Sequence, residues 1–230
     1  MIDKYIKYLK TFLSADYKFK FFDELDITKD KQIILRHDID LDCKLALEMA
    51  QLESYFDVKS TYFFLLSNDS YNLLSNTNLD IVNQIKSFGH KISLHYDPTI
   101  YIDKQKSLEQ EIKIFEEILN IKVDIISLHR PSPEYLESDK QIKYFNFPNT
   151  YQQLYFKDIK YFADSRGSFR YGDPLDSIEF KNKKNIQLLI HPFWWVVDSK
   201  NKKECVDIVY NKKCLQMKNH FINSIGFYNG

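Results

Sequence analysis

The chain has 230 residues, and its 32 Lys and Arg balance 32 Asp and Glu, a formal net charge of zero that removes the global electrostatic case for nucleic acid or an anionic membrane surface. With 44% hydrophobic and 16% aromatic residues it has the material for one sizeable core, so a single domain spanning 1–230 is expected and a disordered chain is excluded. Cys43, Cys205 and Cys214 are odd in number and lack zinc-type spacing, no apolar run approaches about 18 residues, and the N-terminus mixes charge into every turn. Together these features predict a cytoplasmic protein with neither a disulfide framework nor an integral membrane segment. Oligomeric state is left open.

Six strand-like runs follow in chain order: "QIILRHD", "KSTYFFLL", "HKISLHYD", "VDIISLHRP", "IKYFADS" and "IQLLIHPFWW". Behind the first, Leu45, Met49, Leu52 and Phe56 repeat at helical spacing, with Asp42 placed to cap the helix. Behind the second, Ile81, Ile85 and Phe88 do the same, and Gly89 is suited to end that helix. Behind the third, Leu108, Ile112, Phe115 and Leu119 form a stripe, with Ser107 and Gln110 fitting a capping box. These stripes are read as core. The aromatic-rich span 132–158 breaks the rhythm and is expected to be an ordered excursion. The C-terminal forty residues read as a charged helix with Val206, Val209 and Tyr210 as core contacts. Buried strands alternating with amphipathic helices imply a parallel sheet, as an open doubly wound sheet or as a barrel.

The polar residues gather at strand ends. Asp38 and Asp40 close the first strand, Asp164 another, and His95, His129 and His191 fall at the C-terminal ends of three more. In parallel α/β folds those ends share one face. Strand side chains alternate, so Asp38 and Asp40 point the same way, while His37 points to the opposite side. Two carboxylates that close repel unless a cation stands beside them. With imidazoles arriving from other strands, the mixed nitrogen and oxygen donors suit zinc or a similar divalent ion.

In order, "RHDID", "GHKISLHYDPT", "LHRPSP", "YFADSRG" and "LLIHPFWW" resemble the motifs of the polysaccharide deacetylases, the metal-dependent carbohydrate esterases of family four. The likeness runs from about residue 33 to 195. It implies an α/β fold, a distorted (β/α) barrel of about seven parallel strands, to which N- and C-terminal helices are added. It further implies Asp38 as catalytic base, Arg130 as the arginine holding it, His191 as general acid and Asp164 as the aspartate tuning that histidine. Asp40 and His95 would bind a divalent metal, zinc first. The family's second metal histidine falls on Thr99, a poor ligand, and His129 is the preferred replacement over Asp97. His90 and His37 are read as structural. Phe193, Trp194 and Trp195 could offer stacking surfaces for sugar, although two of the three are expected to serve packing.

The implied activity is removal of an N- or O-linked acetyl group from a sugar or surface-polysaccharide precursor. A cytoplasmic enzyme would meet a nucleotide-linked or lipid-linked form. The competing readings are a catalytically inactive carbohydrate-binding relative and a metal-dependent phosphoesterase barrel. The early Asp-x-Asp, where such phosphoesterases usually show His-x-His, and the absence of a Gly-rich phosphate loop weigh against the latter.

Overall fold

The structure, a computed structural model, describes residues 1–132, 136 and 146–227. Residues 133–135 and 137–145 of the aromatic excursion 132–158 lie outside the described residues. Seven strands form one sheet in which every pairing is parallel. They are β1 (Lys18–Lys20), β2 (Gln32–Ile39), β3 (Thr61–Leu65), β4 (Lys91–Tyr96), β5 (Ser127–Leu128), β6 (Lys160–Ala163) and β7 (Ile186–Ile190). The order is β5-β4-β3-β2-β7-β6, with β1 added beside the start of β2. The sheet curls into a half-barrel of the distorted type the sequence predicts.

All eight residues of β2 are buried, as are all five of β3 and of β7, because both faces of this central sheet are covered. Among the described residues no ladder joins β5 to β6. The seam is crossed instead by a single bridge between Ile126 and Asn149 and by Gln187 Nε2, which donates to the Thr150 carbonyl at 3.2 Å and the Tyr155 carbonyl at 2.5 Å.

Helix α1 (Ile2–Ser14) buries Tyr5, Tyr8, Leu9 and Phe12 against the N-terminal part of the sheet, and Tyr5 and Tyr8 pack on Trp195. α2 (Cys43–Tyr55) begins where predicted, Asp42 accepting from the Lys44 and Leu45 amides at 2.8 and 3.4 Å. α3 (Asn76–Ser87) ends before Gly89, whose φ of 90° is the left-handed geometry a side chain resists. α4 (Lys104–Leu119) starts earlier than the sequence suggests. Asp103, not Ser107, is its N-cap, accepting from the Lys106 amide, and Ser107 Oγ donates back to the Asp103 carbonyl. The capping box at Ser107 and Gln110 is therefore corrected: an Asp one turn upstream supplies the same acceptor first.

After β6 come the short α5 (Ile178–Lys181) and, past β7, α6 (Phe193–Val196), then the long α7 (Lys202–Ser224). α7 buries Cys205 and Val209, but Val206 and Tyr210 are exposed, against expectation. Its first half meets the body, Cys205 and Val209 packing with Leu45, Phe193 and Val197 and both Lys212 and Lys213 pairing with Asp42 at 3.3 Å. Among the described residues no helix is long and apolar enough to cross a membrane.

Candidate metal centre

The opening pattern of β2, "RHDID", determines how the site is built. The two-residue period puts Arg36, Asp38 and Asp40 on the inner face and His37 on the outer. His37 contacts Glu53 of α2 at 2.8 Å through Nε2 and the Ile190 carbonyl at 3.3 Å through Nδ1. His90 lies beside the same glutamate, with Nδ1 sharing a 2.8 Å hydrogen bond with Ser60 Oγ. Both histidines are structural, as read from the sequence.

On the inner face Asp40 Oδ1 stands 3.4 Å from His95 Nε2 and 3.4 Å from His129 Nδ1, and those two nitrogens are 3.1 Å apart. A tetrahedral zinc with ligand bonds of about 2.0–2.1 Å separates its donor atoms by roughly 3.3–3.4 Å. The triangle is thus of the size one such ion requires, and a fourth corner remains for water or substrate. Asp40 Oδ1 is buried and, among the described residues, has no hydrogen-bond partner, the condition of a donor atom meant for a cation. Burial pushes the Asp40 carboxyl up, but His129 and His95 pull it further the other way and hold it well below the usual carboxylate range, in the ionised form a ligand needs.

The neighbours of the triad orient it. His95 Nδ1 lies 3.3 Å from the Ser127 carbonyl, a contact that takes its N–H and leaves the Nε2 lone pair facing the centre. Behind His129, Nε2 faces Asp97 at 4.0 Å. Asp97 in turn accepts from the Thr99 amide at 2.9 Å and the Thr99 hydroxyl at 2.6 Å. Of the two substitutes weighed for the absent histidine, His129 joins the triad and Asp97 stands behind it. Thr99 supports Asp97.

Asp38 sits next to the triangle without completing it, Oδ2 being 3.9 Å from His95 Nε2. Ser127 Oγ donates to that oxygen at 3.0 Å, and Oδ1 is buried without a hydrogen-bond partner among the described residues. The guanidinium within ion-pair reach is that of Arg36, Nη2 at 3.6 Å from Asp38 Oδ2. Arg36 is fully buried. It donates through Nη1 to Ser127 Oγ at 3.0 Å and to Thr150 Oγ1, and through Nη2 to Tyr151 Oη at 3.0 Å, with the Tyr151 ring 4.9 Å away. Arg130, the arginine the resemblance placed on the base, lies instead on the cleft wall just beyond His129 with φ of 51°. The physical reason is the strand period: Arg36 is two residues from Asp38 and so already on its face, whereas the left-handed turn at Arg130 carries that side chain out to solvent. The same alternation that paired Asp38 with Asp40 was the signal that could have found Arg36.

His191, just past β7, completes the inner ring. Its Nδ1 is 2.6 Å from Asp164 Oδ1 and its Nε2 3.7 Å from Asp40 Oδ2. Asp164 also accepts from the His191 amide at 3.0 Å and from Trp195 Nε1 at 2.6 Å, so it is immobilised from three directions. Burial lowers the His191 imidazole, but the carboxylates of Asp164, Asp40 and Asp38, Asp164 foremost, together outweigh it and push the ring up to about 9. An acid with that value is protonated at neutral pH and loses its proton as pH rises through about 9. Replacing Asp164 by Asn removes the largest raising influence, so the alkaline limb of turnover should move to lower pH; a pH–rate profile with its limb unchanged in Asp164→Asn would separate Asp164 from this task.

These groups face a cleft of about 910 Å³ whose floor is Asp38, Asp40, His95, His129 and His191. Phe193 and Trp194 line it; Trp195, against α1, and Phe193, beside Leu45 and Val197, are both buried in hydrophobic clusters, the two of the three expected to serve packing, although Phe193 also reaches the cleft.

No protein-family model matches the chain, and no curated protein does. Solved structures that resemble it include a family 4 carbohydrate esterase from Bacillus anthracis, at 16% identity over 92% of this chain and 86% of that one, with a TM-score of 0.44. The chitin deacetylase of the fungal pathogen Colletotrichum lindemuthianum is similar at 14% identity over 82% of this chain and 85% of that one, with a TM-score of 0.47. A pseudoenzyme of carbohydrate esterase family 4, also from Bacillus anthracis, is similar at 15% identity over 84% of this chain and 66% of its own length, with a TM-score of 0.47. These are structures of the family the motifs resemble. At such distances the chemistry has to be read from this chain's own atoms.

Proposed function

We propose that the protein is a metal-dependent deacetylase acting on an N- or O-acetyl group of a sugar or polysaccharide precursor, with zinc the best-suited ion. The observation that carries this reading is the triangle of Asp40, His95 and His129 donor atoms, with Asp38 on one flank and His191 on another. A cation held there supplies Lewis acidity to a water molecule and to the acetyl carbonyl. Asp38 is the group placed to accept the water's proton, held by Arg36 and Ser127. His191, oriented by Asp164, donates a proton to the departing amine or hydroxyl. Phe193 and Trp194 present apolar surface on which a sugar ring can rest.

The test is metal content and acetate release together. Purified protein should bind close to one zinc equivalent and release acetate from acetylated sugars, and Asp40→Asn should lose both. An Asp40→Asn protein that keeps its metal and its turnover uses another site. Release of inorganic phosphate from phosphoesters, with no acetate from any acetylated sugar, would instead establish a phosphoesterase.

A further inference from the structure

Arginine is scarce in this chain: of 32 basic residues only four are Arg, namely Arg36, Arg130, Arg166 and Arg170. Arg36 lies under Asp38, and the other three line the cleft, although the cleft's 24 lining residues are about a tenth of the chain. No lysine lines it among the described residues. A chain that otherwise meets its need for positive charge with lysine thus uses the planar guanidinium fork at this one place. The fork differs from an ammonium in presenting paired N–H donors that match the oxygens of a carboxylate or phosphate.

Arg130, Arg166 and Arg170 are all exposed, and among the described residues none of them is ion-paired to a carboxylate. Among the described residues their one side-chain partner is the Tyr171 ring, 5.9 Å from the Arg170 guanidinium. The carboxylates on the cleft floor belong to the metal centre, as Asp97 does through His129, and Asp69 is the exposed acid on the wall. Among the described residues the wall therefore carries three positive charges against one negative. The loop that holds Arg166 and Arg170 is seated on the site. Gly167, at φ of 73°, brings its backbone so close to Trp194 that a Cβ would stand 3.1 Å from the ring. A single carboxylate would leave much of this charge unmatched, whereas a phosphate monoester, at about −1.5 to −2 near neutral pH, or a diphosphate balances it.

We propose that the substrate carries a phosphate or diphosphate group and that Arg130, Arg166 and Arg170 hold it while the acetyl group lies over the metal centre. This deepens the deacetylase reading and rests on it for the reacting end of the substrate. The anion subsite can be tested apart from that reading, by measuring binding of inorganic pyrophosphate to Asp40→Asn protein, which keeps every arginine but lacks the cation that would itself attract the probe. Chelator-treated wild-type protein serves the same purpose should Asp40→Asn not fold.

Pyrophosphate should bind, and Arg166→Gln with Arg170→Gln should weaken it by at least about tenfold. The corresponding double Lys replacement, which keeps the charges and loses the forks, should fall between. Displacement by N-acetylglucosamine 1-phosphate, by a nucleotide diphosphate sugar or by a prenyl diphosphate would each support the subsite and tell the free, nucleotide-linked and lipid-linked sources apart. Undetectable pyrophosphate binding, or binding that the double Gln variant leaves unchanged, overturns the proposal even if acetate release is observed. Conversely, arginine-dependent binding without acetate release keeps the subsite and removes the deacetylase reading.

Discussion

Asp38→Asn is expected to lower acetate release by roughly 10²–10⁴-fold, the usual contribution of a positioned proton acceptor, while the metal content stays near that of the wild type. The separation follows from the geometry. Asp38 Oδ2 is 3.9 Å from His95 Nε2, outside the 3.1–3.4 Å triangle formed by the donor atoms of Asp40, His95 and His129. Asn keeps the shape and can still receive the Ser127 hydroxyl, but it cannot take a proton from water. The measurement pairs metal analysis with acetate release on the same preparation. A loaded Asp38→Asn protein with turnover within a few-fold of wild type would mean that another group accepts the proton; loss of the metal would mean that Asp38 is a ligand. Asp40→Asn gives the opposite pattern, losing the metal first.

The largest effect on stability is expected on the other side of β2. Glu53, fully buried on α2, receives the Ser60 hydroxyl at 2.6 Å, the Tyr62 hydroxyl at 2.8 Å and the Tyr5 hydroxyl, and it meets His37 at 2.8 Å. Replacing it by Ala leaves these polar groups buried without their acceptor. A cost of about 3–5 kcal/mol follows, because several buried donors lose their acceptor at about 1–3 kcal/mol each. Urea unfolding of Glu53→Ala reads it directly, and a loss under about 1 kcal/mol would show that the network relaxes without its centre.

The same residue sets an acid limit. Burial raises the Glu53 carboxyl, but His37 leads a set of partners that bring it down to about 2, below its ordinary 4.5. A carboxylate with a depressed folded value stabilises the fold fully above the unfolded value and loses that contribution as pH falls through the folded one. The Glu53 share of stability should therefore be intact above about pH 4.5 and decline from there toward about 2. In Glu53→Gln that part of the acid dependence should vanish. Because His37 is flanked on β2 by Arg36 and Asp38, the network that anchors its outer face also holds the inner face still.

What the sequence by itself determined was the set of elements and the face each polar residue would share. The six strand runs and the stripes of α2, α3 and α4 were legible because strands buried on both faces leave near-continuous apolar runs and amphipathic helices leave a period of three to four in the chain. Asp38, Asp40, His95, His129, Asp164 and His191 could be gathered before any coordinates, since parallel strands deliver their C-terminal ends to one face. The three-residue β1 was missed, having too few residues to show a period. Local competition decided the start of α4, where Asp103 captures the free Lys106 amide ahead of Ser107.

Only the tertiary structure decided which group touches which. That His129 closes the triangle while Asp97 stands behind it depends on angstrom-scale distances between β4 and the end of β5. That Arg36 and not Arg130 reaches Asp38 depends on contacts with Ser127, Thr150 and Tyr151, residues about ninety or more positions away in the chain. Sequence periodicity reports direction along one element. Contact between elements is set by how the sheet curls and by which loops turn inward, and that information is spread over the whole packed chain.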